Sequence, residues 1–294
     1  MKQPMIPLTQ LNLTNRFLFD EVMDDAQTHQ DVLSIILGYD IPLLEQNESE
    51  KEHRVSPLAR SVRMDVFAID ENDTAYNTEM QPKKRNDIQK RSRYYQSLMD
   101  TSLLEPGITD YNLLKESYII LIMTSDLLGL KKYVYTFKAQ CQEAQEYLLK
   151  DGATRIFLNT KGKNRDEVSE ELVDFLRYVE SSTDETVASI KSDRIHRIHQ
   201  RVCKVRTNEQ VGVRYMQAWE ERIYEKEEAR EEGMYIHAIS LVKSNLSKGV
   251  SVSDIAKFMD ESEDSIEKIA AVIKSHPEAD DEELYSLIYP SEEN

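Results

Sequence analysis

Cysteine, tryptophan and surplus positive charge are all scarce in this chain, and each scarcity excludes a class of protein. Only two cysteines, Cys141 and Cys203, occur in 294 residues, so no disulfide framework is expected and a reducing compartment fits better. Both read as small, buried apolar residues. Tryptophan occurs once, at Trp219, and with the Tyr-rich helices it reads as a packing residue rather than a base-stacking platform, since no strand context supports an RNA-binding sheet. Lys and Arg number 37 against 54 Asp and Glu, a formal net charge of -17. That balance excludes a protein that coats nucleic acid by neutralising phosphates over its whole surface. Any polyanion site must be local. Long apolar runs are missing too: "YIILIM" is far too short to span a bilayer, and "MKQPMIPLTQLNLTNRF" lacks the apolar core of a signal peptide. The expectation is a cytoplasmic protein with no membrane partner. Neither a GxGxxG nor a P-loop spacing occurs, and "DGATRIFLNTKG" carries glycine and lysine without it, so no nucleotide cofactor is expected.

What is present suffices for one sizeable core and a smaller appendage, since 40% of the residues are hydrophobic. In "LTNRFLFDEVMDDAQTHQDVLSIILGYDIPLL", Phe17, Phe19, Val22 and Met23, then Val32, Leu33, Ile35 and Ile36, recur at helical spacing, and Gly38 suits a helix end. The period changes near residues 61 to 80, where "SVRMDVFAID" and "TAYNTEMQ" alternate around the acidic turn "DENDT" and predict a β-hairpin. A helix is predicted from about Asn86 to Leu104, stopped by Pro106-Gly107. "ESYIILIMTSD" has the length and apolarity of a strand buried on both faces. "KKYVYTFKAQC" and "TRIFLNTKG" predict further strands, and a helix follows near Val168 to Tyr178. The order predicts an α/β domain. Beyond about residue 184 the chain is charged and helical, with Gly233 as a break in "MQAWEERIYEKEEAREEG". The predicted organisation is a main domain over 1–184, a charged helical connector over 185–235 and a small helical module over 236–294. The short helices and capping serines Ser251 and Ser253 of that module also resemble a helix-turn-helix, against a plainer oligomerisation module.

One stretch, "YNTEMQPKKRNDIQKRSRYYQSLMD" at residues 76–100, sets a strand carboxylate directly before a basic helix. Side chains two apart on a strand share a face, so Asp65 is expected to align with Arg63 and Phe67, and Glu79 with Asn77 and Gln81. Phosphodiester cleavage uses a hard cation to polarise the phosphoryl oxygen and acidify the attacking water. Magnesium needs one or two carboxylates and keeps several waters, so Asp65 and Glu79 on neighbouring strands meet its requirement. His196 and His199, three apart on a predicted helix, have transition-metal spacing but no evident third ligand.

Asp65, then "EMQ" at Glu79-Met80-Gln81, then "KRSRYYQSLMD", resembles the recombination-promoting nuclease and transposase family of the PD-(D/E)XK nuclease superfamily. The resemblance continues through "LTNRFLFDEVM", "SVRMDVFAID", "YIILIM", "YTFKAQCQE" and "DGATRIFLNTKG", roughly residues 10 to 180. It implies a restriction-endonuclease-like fold, a central mixed sheet flanked by helices and followed here by a helical C-terminal extension. It also implies magnesium-dependent cleavage of DNA, with manganese as a substitute. Asp65 and Glu79 stand at the family's catalytic, metal-binding carboxylates, and Gln81 at the superfamily's usual lysine. Met64 replaces the proline that commonly precedes the Asp, and relatives often carry Asp where Arg16 stands and Lys where Asp20 stands. An amide orients water but brings no charge, so Lys83, Lys84, Arg91 and Arg93 are the candidate substrate cations, with Tyr95 sharing the Arg91 face of the helix. A local patch of this kind predicts steep salt sensitivity. A homodimer through the C-terminal helices is a natural expectation, because one active site cuts one strand. The competing expectation is an inactive nuclease fold that serves as a DNA- or protein-interaction scaffold.

Overall fold

Caps set the first two helices. Asn15 accepts from the Leu18 N–H (3.4 Å) ahead of α1 (Arg16–Met23), and Asp25 accepts from the Thr28 N–H (2.9 Å) ahead of α2 (Ala26–Leu37). Gly38 ends α2 with a φ of 78°, a left-handed turn that a side chain would oppose. These helices belong to a computed structural model in which residues 4–49, 52–53, 62–104 and 107–290 are described. Ser61 and Pro106, which the sequence reading used, lie outside them, as does the Arg63 side chain.

The strands are β1 (Leu44–Ser49), β2 (Glu52–His53), β3 (Val62–Arg63), β4 (Val66–Asp70), β5 (Ala75–Gln81), β6 (Ser117–Met123), β7 (Val134–Phe137) and β8 (Ala153–Asn159). Six of them form one mixed sheet in the order β1-β4-β5-β6-β8-β7, and β2 pairs with β3 separately. β5, β6 and β8 run parallel, and the remaining pairs are antiparallel. The apolar run of β6 is explained by its central place: Ile119 and Leu121 face the core under α3 (Ile88–Leu103), while Ile120 and Ile122 face the core under α1, α2 and α4 (Glu170–Glu180). α5 (Asp184–Ala188) and α6 (Asp193–Arg206) follow. α6 sends Ile195, Ile198, Val202 and Val205 into the second of these cores, and its Arg197 holds Asp31 of α2 by two hydrogen bonds of 2.8 and 2.6 Å.

The predicted hairpin forms, and Asp70 builds its turn. Its Oδ1 accepts from the Asn72 and Thr74 N–H groups, each at 2.9 Å, and its Oδ2 accepts from the Tyr76 hydroxyl at 2.9 Å. The strand predicted over "SVRMDVFAID" is interrupted, however, by a bend at Met64-Asp65. Met64 and Phe67, three apart, join the same core cluster, so the period-two alignment of Asp65 with Phe67 does not hold. Gly162 is demanded by packing, since a Cβ there would lie 2.7 Å from the Tyr133 Cα.

Two compact units divide at Tyr215/Met216. Residue 184 begins α5, and residue 235 lies inside α7 (Glu209–Ser247). Gly233 does not break α7: a mid-helix glycine costs about 1 kcal/mol, and the surrounding Glu, Ala and Arg residues are good enough helix formers to continue through it. In the second unit α8 (Val252–Met259), α9 (Glu263–Ser275) and α10 (Asp281–Ile288) enclose Ile239, Val242, Ile255, Ile266 and Leu284. Ser251 caps α8, whereas Ser253 bonds Glu263 instead. The first turn of α9, where a recognition helix would meet DNA, carries Glu263 and Asp264, a charge that repels phosphate. Among the described residues no helix is long and apolar enough to cross a membrane.

A histidine absent from the sequence reading ties α2 to the sheet. His29 is fully buried, with Nδ1 2.6 Å from Asn47 Oδ1 and Nε2 2.9 Å from Thr78 Oγ1. The Asn47 amide nitrogen is engaged with the Met23 and Asp24 carbonyls, so Nδ1–H donates to Asn47 and Nε2 accepts from Thr78. Burial pushes the imidazole pKa down to about 4 from 6.5. The unfolded chain therefore binds a proton that the folded chain refuses, and this part of the stability is lost as pH falls from about 6.5 toward 4. Urea titrations at pH 7 and pH 5 should show His29→Gln to be about 1–3 kcal/mol less stable at pH 7, with a smaller loss on acidification than the unsubstituted protein. An equal acid loss in both would remove His29 as its source.

Candidate active site

Extending the pairing Val66↔Thr78 by one residue sets Asp65 opposite Glu79 at the end of the β4–β5 ladder. The two carboxylates are clamped reciprocally. The Asp65 N–H donates to Glu79 Oε1 at 3.0 Å, and the Met80 N–H donates to Asp65 Oδ2 at 3.1 Å. Asn77 adds a donation to Glu79 Oε1 at 3.2 Å. Asp65 is 1% exposed and Glu79 4%. Burial first, and the Asp65 charge second, push the Glu79 carboxyl up from its ordinary range to about 8, against the pull of the Asp65 N–H and of Arg91 and Arg16. Two buried carboxylates this close disfavour a second charge, so Glu79 keeps its proton well above the ordinary carboxyl range.

Cations reach the pair from both faces of the sheet. Arg16 of α1 forms an ion pair with Asp65 Oδ1 and lies 3.6 Å from the buried Asp20. Arg91 of α3 stands 4.0 Å from Glu79 Oε2. Arg91 is held by Tyr95, whose hydroxyl accepts from its Nε and whose ring centroid lies 4.9 Å beneath the guanidinium. Tyr95 is 1% exposed, and burial pushes its hydroxyl up to about 12, so it positions Arg91 from within the core. Gln81 turns its amide back to donate to the Lys83 carbonyl at 2.7 Å. Lys83, Lys84 and Arg93 are exposed, while Arg85 in the same basic run is engaged with Asp87 at 2.9 and 2.8 Å. The structure thus brings together Asp65, Glu79, Arg91 and Tyr95, and leaves Gln81 and the lysines at the rim. A cleft of about 670 Å³ lined by Tyr111, Glu116, Lys138 and Lys150 opens where β6 and β8 begin, the opposite end of the parallel strands from Glu79 and Gln81.

The family model described as PD-(D/E)XK nuclease family transposase matches residues 30–236, more than half of the chain. The chain belongs to this family. Comparison with curated proteins and with solved structures finds no match. The α/β architecture, a mixed sheet between helices with a helical C-terminal region, is the restriction-endonuclease-like fold expected of a PD-(D/E)XK family member. Arg16 and Asp20 lie ahead of the segment that matches the family. The contact of Arg16 with Asp65 was not legible in the sequence, where the one signal was a charge order reversed relative to the family pattern.

Two expectations about other side chains are corrected. Neither cysteine is buried: Cys141 is exposed and Cys203 partly so, because Cys141 lies in the irregular segment after β7 and Cys203 on the rim of α6. His199 does have further ligand-type neighbours, Cys203 one turn on along α6 and Asp184, which opens α5. His196 turns away to the Ile190 carbonyl at 2.9 Å.

Proposed function

We propose that this PD-(D/E)XK family chain is a metal-dependent DNA endonuclease acting in recombination or mobile-element processing. The observation that carries the reading is the reciprocal clamp of Asp65 and Glu79, two buried carboxylates on adjacent strands. Their donor set fits a hard divalent cation such as magnesium, since it is all oxygen and Glu79, on losing its proton to the incoming ion, adds a second charge to that of Asp65. When bound, such a cation polarises a phosphoryl oxygen and lowers the pKa of attacking water. Asp65 and Glu79 are the proposed ligands, and their backbone bonds hold them in place before the cation arrives. Arg91, fixed by Tyr95, supplies the positive charge that Gln81 lacks and faces the phosphate, while Gln81, once released from the Lys83 carbonyl, orients water. Lys83, Lys84 and Arg93 hold the DNA backbone on either side without reading bases.

Supercoiled plasmid incubated with magnesium or manganese is expected to be nicked by the wild-type protein, and the Asp65→Ala/Glu79→Ala double variant should lose at least about a hundredfold of that rate. Equal nicking by both would locate hydrolysis elsewhere. One observation favours a second reading, that of an inactive nuclease-fold scaffold: the Arg16 guanidinium already neutralises Asp65. Metal binding without cleavage of any DNA, and DNA binding indifferent to loss of both carboxylates, would select that reading.

A further inference from the structure

A second cluster of ligand atoms lies away from the carboxylate pair. His199 and Cys203, four apart on α6, share one helix face, and Asp184 opens α5. Their ligand atoms all lie within 4.8 Å of one another. His199 Nε2 is 2.9 Å from Asp184 Oδ1 and 3.5 Å from Cys203 Sγ. His199 Nδ1 is 2.8 Å from the hydroxyl of Tyr178, itself a buried residue.

The same three residue types also make nucleophilic relays, and the geometry separates the two cases. In a relay the carboxylate orients one ring nitrogen while the thiol meets the other. Here carboxylate and thiol both approach Nε2, and the opposite nitrogen is occupied by Tyr178. Convergence of three donors on one point, with the far ring nitrogen fixed by an outer hydroxyl, is the arrangement of a metal ligand set.

We propose that Asp184, His199 and Cys203 form a site for a borderline divalent transition metal of the zinc class, with one coordination position left to water or another ligand. The mixed O, N and S donors select zinc or cobalt over magnesium. Separations of 2.9 and 3.5 Å require only small side-chain shifts to surround an ion held at about 2.0–2.3 Å from each donor. On binding, the Cys203 thiol releases its proton to solvent, and the ring proton of His199 resides on Nδ1, donated to the Tyr178 oxygen, leaving the Nε2 lone pair for the ion. The bound ion ties α5 to α6. This site does not depend on the proposed chemistry at Asp65 and Glu79.

The test uses full-length protein stripped of metal. Cobalt titration should give a thiolate charge-transfer band saturating near one equivalent, and zinc should bleach it. In wild-type protein zinc should slow alkylation of Cys203 at least about tenfold, read by mass spectrometry, while the exposed Cys141 keeps its rate as an internal reference. Cys203→Ser and His199→Asn should lose the band, and Asp65→Ala/Glu79→Ala should keep it, which separates this site from the nuclease reading. No band and no protection of Cys203 would overturn the proposal, as would a band that survives Cys203→Ser.

Discussion

Glu79→Gln should make the metal-free protein more stable at pH 8, with a melting temperature raised by ~5 °C, and should leave it unchanged at pH 5 or below. The buried Glu79 carboxyl holds its proton up to about pH 8, whereas the unfolded chain releases it near 4.5. Between those values the folded state binds more protons than the unfolded one, so stability falls as pH rises and this contribution is gone above the folded value. Glutamine preserves an oxygen for the Asp65 and Asn77 donors and removes the charge. Thermal melts in chelator at pH 5, 6.5 and 8 read the difference, and a variant no more stable than the wild type at pH 8 would refute it. Saturating magnesium should invert the order. At a hundredfold excess over Kd a ligand adds about 2.7 kcal/mol to the state that binds it, and glutamine, a weak neutral ligand, forfeits most of that. That inversion would mark Glu79 as a residue whose cost to the empty fold is offset by its ligand.

The legible parts of this protein are those where local chemistry and fold agree. The hairpin was readable because "DENDT" offers Asp70 to its own turn, and β6 because an uninterrupted apolar run suits a strand covered on both faces. β1 was not readable: in "LEQNES" Leu44 is buried but Glu45 and Glu48 are exposed, and its strand character comes from backbone pairing with β4. The bend at Met64-Asp65 defeated the period-two argument at Asp65 itself. The order of Asp65 and Glu79 in the family pattern led to the expectation of neighbouring strands, and the structure sets the two carboxylates in reciprocal contact across one ladder. The other partners of these residues were not legible, because periodicity reports the face of one element and is silent about which other element meets it. Arg16 reaches Asp65 across 49 positions of chain, His29 reaches Thr78 from another helix, and Asp184 meets His199 only when α5 turns back on α6.

Arg16→Ala should lower the stability of the metal-free protein by about 2 kcal/mol and tighten its binding of magnesium about tenfold. Breaking a fully buried ion pair costs more, about 3–5 kcal/mol, but Arg16 is 42% exposed and Asp65 1%, so solvent screens part of the loss. The guanidinium and a divalent cation compete for the same carboxylate, and each repels the other. Removing one therefore favours the other, and the gain appears as a lower half-saturating magnesium concentration in plasmid nicking. Arg16→Lys keeps a charge near Asp65 without the planar, two-pronged fit, so it should fall between wild type and alanine in both measurements. The rate at saturating metal separates competition from catalysis. If Arg16 acts only as a competitor for Asp65, that rate holds within about threefold in the alanine variant. A fall of a hundredfold or more is the loss given by removing a group that stabilises the transition state. An unchanged or raised half-saturation point would mean that Arg16 does not stand in the way of the metal, and the scaffold reading, which draws on that same ion pair, would lose its support with it.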